Sequence, residues 1–471
     1  MRIAYITTYQ GPSLLKSRPI VRNRSLSNAV KIELIASLLR ANSHEVEVFS
    51  QGEVIDQEFK YYPGFSEPER FHADIPVYYA SALPVRRLNA LWSSWRTLQL
   101  FKSRHRFAPF DLVVIFNLKE PQVICAGYAI RRLGLPVILE YEDDRFTTIS
   151  GEPAGGLISS FHNRRCRRLL SALAGCIAVS PHLLSQLPET TPKMLLRGVV
   201  ANDIAEAAKR AGTARRNWIL FSGTHVESNG VAQLIEAWRS APIPGWELHI
   251  TGYGQLTEYL KEKAKGVPDL TFHGLVSRQE LVGLMTSAKI CVNPYLATKT
   301  LGNLFAFKVI EYLAAGAHCI TTHMGVLEPA LEAGISYMSD NSPESIAVAL
   351  RQVIENRAYE RQAAAAARET YGLPAVARSL ESFLKGLHAL KPENRVTHQP
   401  VLRLGSCEKE DTTGKCEIMP RPSPEKPLVS ILIPATNYLC NRFWVFLPGL
   451  RLIESDAASC HTIAKNTFDP S

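Results

Sequence analysis

The chain alternates short strand-forming runs with amphipathic helical stretches, and this alternation limits its possible folds more than any other feature. The helical stretch at 29–41, for example, places Leu34, Ile35, Leu38 and Leu39 on one face. Strands are predicted at 3–7, 45–49, 112–116, 137–141 and 176–179, and a further helix at 121–133. Strands that alternate with helices build βαβ units and a parallel sheet. The first half therefore predicts a Rossmann-like α/β domain.

A second series follows a polar, Arg-rich bridge at 196–216, where hydrophobic periodicity fades and a domain boundary is expected. Its strands are predicted at 218–222, 247–251, 270–273, 290–293 and 318–321, and its helices at 231–240, 256–265, 280–287 and 307–315. Ser342 and Pro343 are typical of the N-cap and first residue of one more helix. We therefore predict two Rossmann-like domains, 1–198 and 199–390, with the last helix free to cross back to the first.

The length of 471 residues agrees with this division, because a domain typically has about 100–200 residues. Residues 357–390 have a helical composition. From Lys391 to Lys426 the residues Pro, Lys, Glu, Thr and Gly dominate, which is typical of a linker. We expect 391–471 to be linker and tail, poorly ordered.

Charge and cysteine usage narrow the functional classes. The net charge of +9 favours acidic partners such as phosphorylated ligands or anionic lipid, and no nucleic-acid recognition motif accompanies it. The nine cysteines include no C-x-x-C pair, so neither a zinc site nor a disulfide framework is expected. The amino terminus resembles a first strand and not a signal peptide, and no apolar run is long enough for a transmembrane helix. We expect the protein to be cytoplasmic, and a location at the inner face of the membrane is an alternative.

The most informative segment is 303–320, which reads NLFAFKVIEYLAAGAHCI. A helix that begins near Phe307 directs backbone N–H groups and a positive dipole end at a diphosphate, and Lys308 adds a full charge there. Glu311 lies one turn further on, where its carboxylate can accept hydrogen bonds from two ribose hydroxyls. Gly316 allows a tight exit from the helix. An ordinary helix with Lys308 and Glu311 as a solvated pair is the alternative.

This segment resembles the donor-site motif of family 4 glycosyltransferases, in which a Lys precedes Glu-Tyr on a short helix, then Ala-x-Gly and a strand. The resemblance extends over about residues 1–390. It implies the α/β GT-B fold, with two Rossmann-like domains facing each other across a cleft. It also implies transfer of a sugar, with retention, from a nucleoside diphosphate donor to a hydroxyl of a glycan or lipid-linked acceptor, without metal or cofactor.

The same resemblance assigns the site residues. Lys308 would contact the diphosphate, Glu311 the ribose and Asn303 the transferred sugar, and Lys299 and Phe305 belong to the same donor-binding set. Asn303 stands where the family usually has a glutamate, so it supplies no negative charge to the developing oxocarbenium-like centre. Two alternatives therefore stay open, a binding-only pseudo-enzyme and a sugar-nucleotide epimerase or hydrolase.

Two more loops of the second half resemble the family. The first, at 220–225, contains Gly223, whose missing side chain permits close approach to a ligand. Thr224 or His225 stands where the family often has Arg, which lowers the positive charge of the loop. The second, at 250–254, contains Gly252. For both glycines the alternative is a tight βα turn without ligand contact.

In the first half, the family's glycine-rich loop approaches the donor phosphate, and here that loop has the single Gly11. A basic run follows, which would attract an anion or be a solvated flexible loop: Lys16, Arg18, Arg22 and Arg24. Glu142 and Asp143 follow a predicted strand, and ligands of parallel sheets bind at the carboxyl ends of strands. They are the candidates for assisting acceptor deprotonation or orienting donor hydroxyls, with turn formation as the alternative.

Two other features concern partners and the tail. The stretches 85–96 and 164–170 combine Arg with aromatic and aliphatic residues, which suits peripheral contact with an anionic membrane or ordinary packing with Arg outward. The segment 426–437 resembles the opening strand of family 2 glycosyltransferases, which have the GT-A fold. This short likeness suggests the remnant of a fused second enzyme.

Overall fold

The computed structural model describes residues 1–18, 26–51, 61–70, 74–83, 86–147, 157–211, 215–296, 305–325, 327–361 and 363–389. Residues 1–395 form one compact unit, which contains all of these ranges. The predicted linker and tail, including the family 2-like segment, lie outside the described residues.

The first half is built on an eight-stranded sheet in the order β3-β4-β2-β1-β5-β6-β7-β8. Its strands are parallel except for β3, which pairs with β4 in the antiparallel sense. The strands are β1 (Arg2–Thr7), β2 (Glu45–Ser50), β3 (Phe65–Arg70), β4 (Asp74–Tyr79), β5 (Leu112–Phe116), β6 (Val137–Tyr141), β7 (Gly175–Ala178) and β8 (Lys193–Leu195). The helices are α1 (Pro12–Ser17), α2 (Leu26–Ala41), α3 (Arg86–Phe107), α4 (Glu120–Tyr128), α5 (Leu157–Leu170) and α6 (Pro181–Ser185).

The second half is built on a six-stranded, all-parallel sheet in the order β11-β10-β9-β12-β13-β14. Its strands are β9 (Arg216–Ser222), β10 (Glu247–Thr251), β11 (Leu270–Gly274), β12 (Ala288–Asn293), β13 (His318–Thr322) and β14 (Ile335–Met338). Its helices are α7 (Asn202–Ala211), α8 (Val231–Ser240), α9 (Thr257–Ala264), α10 (Arg278–Ser287), α11 (Phe307–Ala315), α12 (Pro329–Glu332), α13 (Pro343–Glu355), α14 (Ala364–Tyr371) and α15 (Leu373–Ala389).

Strand order reverses once in each sheet, between β1 and β5 and between β9 and β12. At such a switch point the loops that leave neighbouring strands diverge and open a crevice at the carboxyl edge, where ligands of parallel sheets bind. The central strands are buried on both faces, as in β5, whose five residues are all buried. The fold therefore places four loops at two switch points, and Gly11 and Gly223 lie in two of them.

The predicted strands and helices agree with the structure to within about three residues, and the N-cap at Ser342 is confirmed by a bond from the Ser345 N–H. The predicted helix at 121–133 ends in a π-helical turn, Ala129–Leu133. The polar bridge at 196–216 is not merely a connection, because it contains α7, which packs on α10 and α11.

The last helix, α15, contacts the first half. Asn42 Nδ2 donates to the Ala377 carbonyl at 3.0 Å, and the His44 ring lies 3.0 Å from Glu381. The antiparallel pair β3 and β4 was not predicted. Among the described helices, none combines the length and apolarity needed to cross a bilayer.

Candidate functional site

The loop after β9 is fastened to α11 by a tyrosine. The Tyr312 hydroxyl accepts a hydrogen bond from the Ser222 N–H at 3.0 Å and donates one to the Ser222 carbonyl at 3.1 Å. The next residue, Gly223, has φ +154, which L side chains rarely adopt, and its N–H donates to the Thr251 carbonyl at 3.2 Å. The loop thus turns sharply over the amino end of α11 with its backbone uncovered by a side chain.

Lys308 lies directly against this turn, in the first turn of α11. Its Nζ donates to the Ser222 carbonyl at 3.4 Å and sits 4.6 Å from the centre of the Phe221 ring. A Cβ atom at position 223 would come within 3.2 Å of that Nζ. Burial lowers the pKa of Lys308 to about 8. The N-cap residue of α11, Ala306, provides no side-chain hydrogen bond to the end of the helix. The positive end of the helix dipole and the Lys308 ammonium therefore both lie at this uncapped end.

Glu311 is buried, with 8% of its surface exposed, which excludes the alternative of a solvated pair with Lys308. Its Oε1 accepts a hydrogen bond from Arg278 Nη1 at 2.8 Å. The same guanidinium binds Asp203, through Nε at 2.8 Å and Nη2 at 3.2 Å. Burial raises the pKa of Glu311, and the Arg278 charge opposes that rise. Sequence reasoning did not find Arg278 or Asp203, because neither belongs to the 303–320 segment.

The glycines of the second half allow loops to touch. A Cβ atom on Gly252 would lie 1.8 Å from the Gly223 carbonyl oxygen, and one on Gly230 would lie 1.9 Å from the Pro294 carbonyl oxygen. Gly252 therefore supports the Gly223 turn by close backbone packing. Its predicted contact with a donor stays a prediction.

His225 and Thr224, which the sequence placed in the donor loop, supply no positive charge there. His225 is fully buried, its Nδ1 lies 3.0 Å from the Thr257 hydroxyl, and burial lowers its pKa. Thr224 is exposed, and its carbonyl accepts a bond from Asn229 Nδ2 at 2.6 Å. These residues shape the loop, and Lys308 carries the charge beside it.

Asn117, at the end of β5, organises the predicted acidic residues. Its backbone has φ +61, and its Oδ1 accepts bonds from the N–H groups of Glu142 at 2.8 Å and Asp143 at 3.0 Å. Its Nδ2 donates to Asp143 Oδ2 at 2.9 Å. Desolvation of the carboxyl and the neighbouring Glu142 charge raise the pKa of Asp143, although part of the residue reaches solvent. Asn117 was missed because a single polar residue after a strand has no distinctive pattern.

Glu142 also belongs to a buried charged cluster. It pairs with Lys31 of α2, whose Nζ lies 3.6 Å from Glu140, and the Tyr5 hydroxyl donates to Glu140. Burial raises the pKa of Glu140 to about 7. Glu142 is therefore neutralised by Lys31, and Asp143 is the acidic residue that reaches the surface of the crevice.

One electrostatic interaction links the carboxyl ends of the two sheets. Tyr295 follows β12 in the second half, and Asp143 follows β6 in the first. Burial raises the pKa of Tyr295, and the negative charge of Asp143 raises it further.

Gly11 is the N-cap residue of α1, and a Cβ atom there would meet Tyr9 at 2.5 Å and the Tyr79 hydroxyl at 2.6 Å. Of the two alternatives for the basic run, attraction of an anion or a solvated loop, the solvated loop is wrong for Arg18. Arg18 is buried, donates to the carbonyls of Pro63 at 2.8 Å and Ala80 at 2.9 Å, and has a pKa lowered to about 10 by burial. Lys16 is exposed.

Four of the predicted residues, Arg22, Arg24, Lys299 and Asn303, lie outside the described residues. Phe305 is described. It is partly buried, it packs against a hydrophobic cluster of the first half and against a second cluster that contains residues of both halves, and the Arg197 guanidinium lies 5.7 Å from its ring centre. Its predicted part in donor binding stays a prediction.

The predicted basic stretches lie on α3 and α5. Leu91 and Trp95 are 67% and 47% exposed on α3, and Phe161 is 67% exposed on α5. Arginines at 164, 167 and 168 are exposed near Phe161 in the sequence of α5. Helix α5 therefore presents apolar and cationic groups to solvent, and α3 presents apolar groups.

Comparison with known proteins agrees with this geometry. Residues 216–356, which include the second sheet and α11, match the family described as "Glycosyl transferases group 1". A stretch of 149 residues is 30% identical to a GDP-mannose-dependent alpha-(1-6)-phosphatidylinositol dimannoside mannosyltransferase of Mycobacterium tuberculosis. That match covers 31% of this chain and spans 37% of the length of the relative.

Solved structures share the fold of both halves. Sucrose-phosphate synthase of Thermosynechococcus elongatus aligns with a TM-score of 0.61 and 14% identity, over 83% of this chain and all of that one. HepE of Anabaena, solved in complex with UDP, aligns with a TM-score of 0.56 and 14% identity, over 82% of this chain and all of that one. The GT-B fold expected from the sequence is therefore confirmed.

Proposed function

We propose that the chain is a retaining family 4 glycosyltransferase, which moves a sugar from a nucleoside diphosphate donor to a hydroxyl acceptor. The observation that supports this most strongly is the placement of Lys308 and the uncapped amino end of α11 against the bare backbone of Gly223. Backbone N–H groups, a helix dipole and an ammonium group converge there, which is the environment a diphosphate needs.

The donor is proposed to lie with its diphosphate at Lys308 and its ribose at Glu311. As the bond to the sugar breaks, negative charge develops on the leaving diphosphate, and the Lys308 ammonium and the α11 dipole stabilise it. Because these groups are already fixed by Tyr312 and Ser222, no reorganisation is needed at the moment of reaction. This scheme requires no metal.

The acceptor is proposed to approach from the first half. Asp143 is held by Asn117 at the carboxyl end of β6, and its raised pKa suits a group that takes a proton from an attacking hydroxyl. Glu142 is proposed to orient donor hydroxyls, because the Lys31 ammonium already neutralises the charge of its carboxylate. Asn303 is proposed to hydrogen-bond the transferred sugar.

The names of related proteins suggest the substrate class. HepE was solved with UDP and with UDP-glucose, and the mycobacterial relative uses GDP-mannose and a phosphatidylinositol-based acceptor. We propose a lipid-linked or glycan acceptor, in glycolipid or polysaccharide synthesis. The exposed apolar and arginine residues of α3 and α5 would then contact the inner face of an anionic membrane.

A second candidate is a sugar-nucleotide-binding protein with little or no transfer activity. The observation that favours it is the missing positive charge in the 223–230 loop, where His225 is buried and Thr224 is neutral. Asn303, which stands where the family usually has a carboxylate, also favours this candidate. Product analysis separates the candidates, because a transferase consumes the donor only with acceptor, a hydrolase consumes it without, and a binding protein leaves it intact.

The donor assignment is tested by calorimetric titration of UDP- and GDP-sugars into wild type and variants. Glu311→Ala and Lys308→Met are each expected to weaken binding of the preferred donor by roughly tenfold or more, since each loses hydrogen bonds to a charged group. The exposed α9 residues Glu258 and Lys261 provide matched controls, Glu258→Ala and Lys261→Met. Equal binding by Glu311→Ala and wild type would remove the central assignment.

A further inference from the structure

Three helices from distant parts of the sequence meet beside Glu311, and one arginine joins them. Arg278 is the first residue of α10, Glu311 lies on α11 and Asp203 lies on α7. The guanidinium makes a bidentate contact with Asp203, in which Nε donates at 2.8 Å and Nη2 at 3.2 Å. Its remaining nitrogen, Nη1, donates to Glu311 Oε1 at 2.8 Å. A planar guanidinium held at three nitrogens has a fixed orientation, and so has any carboxylate bound to it.

Helix stability does not explain this arginine. A cation at the first position of a helix opposes the positive end of the helix dipole. The amino end of α10 is already capped by a reciprocal pair, in which Ser277 accepts from the Glu280 N–H and Glu280 accepts from the Ser277 N–H. Arg278 is therefore stabilised by its two carboxylate partners and not by its own helix.

The arrangement leaves part of Glu311 available. Within the part of the chain that the structure describes, Arg278 is its hydrogen-bond partner and engages Oε1. Glu311 Oε2 is thus free to accept from a ligand while Oε1 keeps its second lone pair. At the other end, Asp203 lies on α7 next to Ile204, which is fully buried.

We propose that Arg278, anchored by Asp203, is a positioning residue that sets Glu311 to recognise both ribose hydroxyls, and so determines selectivity for ribonucleotides over 2′-deoxyribonucleotides. This inference rests on the proposed function, which places the ribose at Glu311. A freely rotating carboxylate still accepts one hydrogen bond, but two bonds at once require its plane to be fixed before the ligand arrives.

The test measures ribose selectivity and not affinity alone. UDP, 2′-deoxy-UDP, GDP and 2′-deoxy-GDP are titrated into the full chain by calorimetry, with wild type, Arg278→Met, Arg278→Lys and Asp203→Asn. Wild type is expected to prefer the better-bound ribonucleotide over its deoxy counterpart by about tenfold. Arg278→Met is expected to reduce that preference to about twofold or less, mainly by weakening the ribonucleotide.

Two variants separate positioning from general damage. Arg278→Lys keeps the positive charge but lacks the planar guanidinium, so its preference for ribonucleotides is expected to stay close to that of Arg278→Met. Asp203→Asn keeps Arg278 but weakens its anchor, so an intermediate selectivity is expected, and this variant decides the matter if Arg278→Met does not fold. Arg351→Met, at an exposed position of α13, is the matched control and should behave as wild type.

Different binding results would overturn this inference and the proposed function. If Glu311→Gln retains the ribose preference, or wild type has none, the ribose is not at Glu311 and the proposed donor site fails. If Glu311→Gln abolishes the preference but Arg278→Met and Asp203→Asn retain it, only the role of Arg278 is overturned. A loss of affinity that is equal for ribo- and deoxyribonucleotides in the Arg278 variants also overturns it.

Discussion

At the residue scale, Lys308 and Glu311 lie one helical turn apart and yet experience opposite environments. Among the residues that the structure describes, Lys308 contacts the Ser222 carbonyl and the Phe221 ring, whereas Glu311 is bound to Arg278. Burial disfavours the charged form of a lysine, and the negative charge of a diphosphate would favour it. The buried Lys308 is therefore suited to an anionic ligand.

Donor binding should depend on pH through Lys308. Burial lowers its pKa to about 8, so the ammonium is present at neutral pH and lost as the pH rises through that value. We expect UDP or GDP to bind roughly tenfold more weakly at a pH of about 9.5 than at about 7, measured by calorimetry. Lys308→Met should bind weakly at both values and lose this dependence. A dissociation constant of wild type that stays flat over the range would contradict the assignment.

At the scale of elements, α11 and β9 act as one unit, because the Tyr312 side chain joins the helix to the last residue of the strand. This contact fixes the turn at Gly223, and Gly252 closes over it from β10. The phosphate-binding candidate is therefore a junction of three elements. Its precision depends on hydrogen bonds that lie beneath the loop.

Removal of the Tyr312 hydroxyl should destabilise this junction. Tyr312→Phe leaves the Ser222 N–H without its acceptor in a buried place, so we expect a loss of about 1–2 kcal/mol in the free energy of unfolding by urea. Nucleotide binding should weaken as well. Tyr337→Phe is the control, because that hydroxyl binds Glu332 at the surface. Equal unfolding midpoints for the two variants would show that the Tyr312 bonds do not hold the loop.

At the scale of the whole molecule, the net charge is +9, exposed arginines accompany an exposed apolar side chain on α5, and α3 exposes further apolar side chains. Isolated exposed apolar residues are common on any protein. Their combination with arginines is what suits an anionic bilayer, since apolar insertion and charge attraction add.

Membrane contact is tested by co-sedimentation with vesicles of phosphatidylcholine alone and with phosphatidylinositol. The triple variant Leu91→Ser, Trp95→Ser, Phe161→Ser is expected to lower binding to the anionic vesicles by about fivefold or more. High salt should weaken the binding of wild type. Tyr259→Ser, an exposed aromatic change on α9, is the control. If the triple variant binds anionic vesicles as strongly as the control does, the proposed membrane-contact surface is wrong.

The sequence by itself determined the two βαβ series, the position of α11 and the place of Lys308 within it, because these depend on periodicity and spacing within about twenty residues. It also indicated where Glu142 and Asp143 follow β6. Its error at Arg18 has a physical cause, since nothing in a short basic run reveals that two distant carbonyls enclose one of its members.

Only the tertiary structure decided which partners these residues have. Arg278 reaches Glu311 across 33 positions and Asp203 across 75, Tyr312 reaches Ser222 across 90, and Lys31 neutralises Glu142 from another element. Local patterns encode the elements, because backbone hydrogen bonds and side-chain periodicity are local. The charge state and orientation of each site residue depend on desolvation and on partners brought together by folding, and no spacing in the sequence records those contacts.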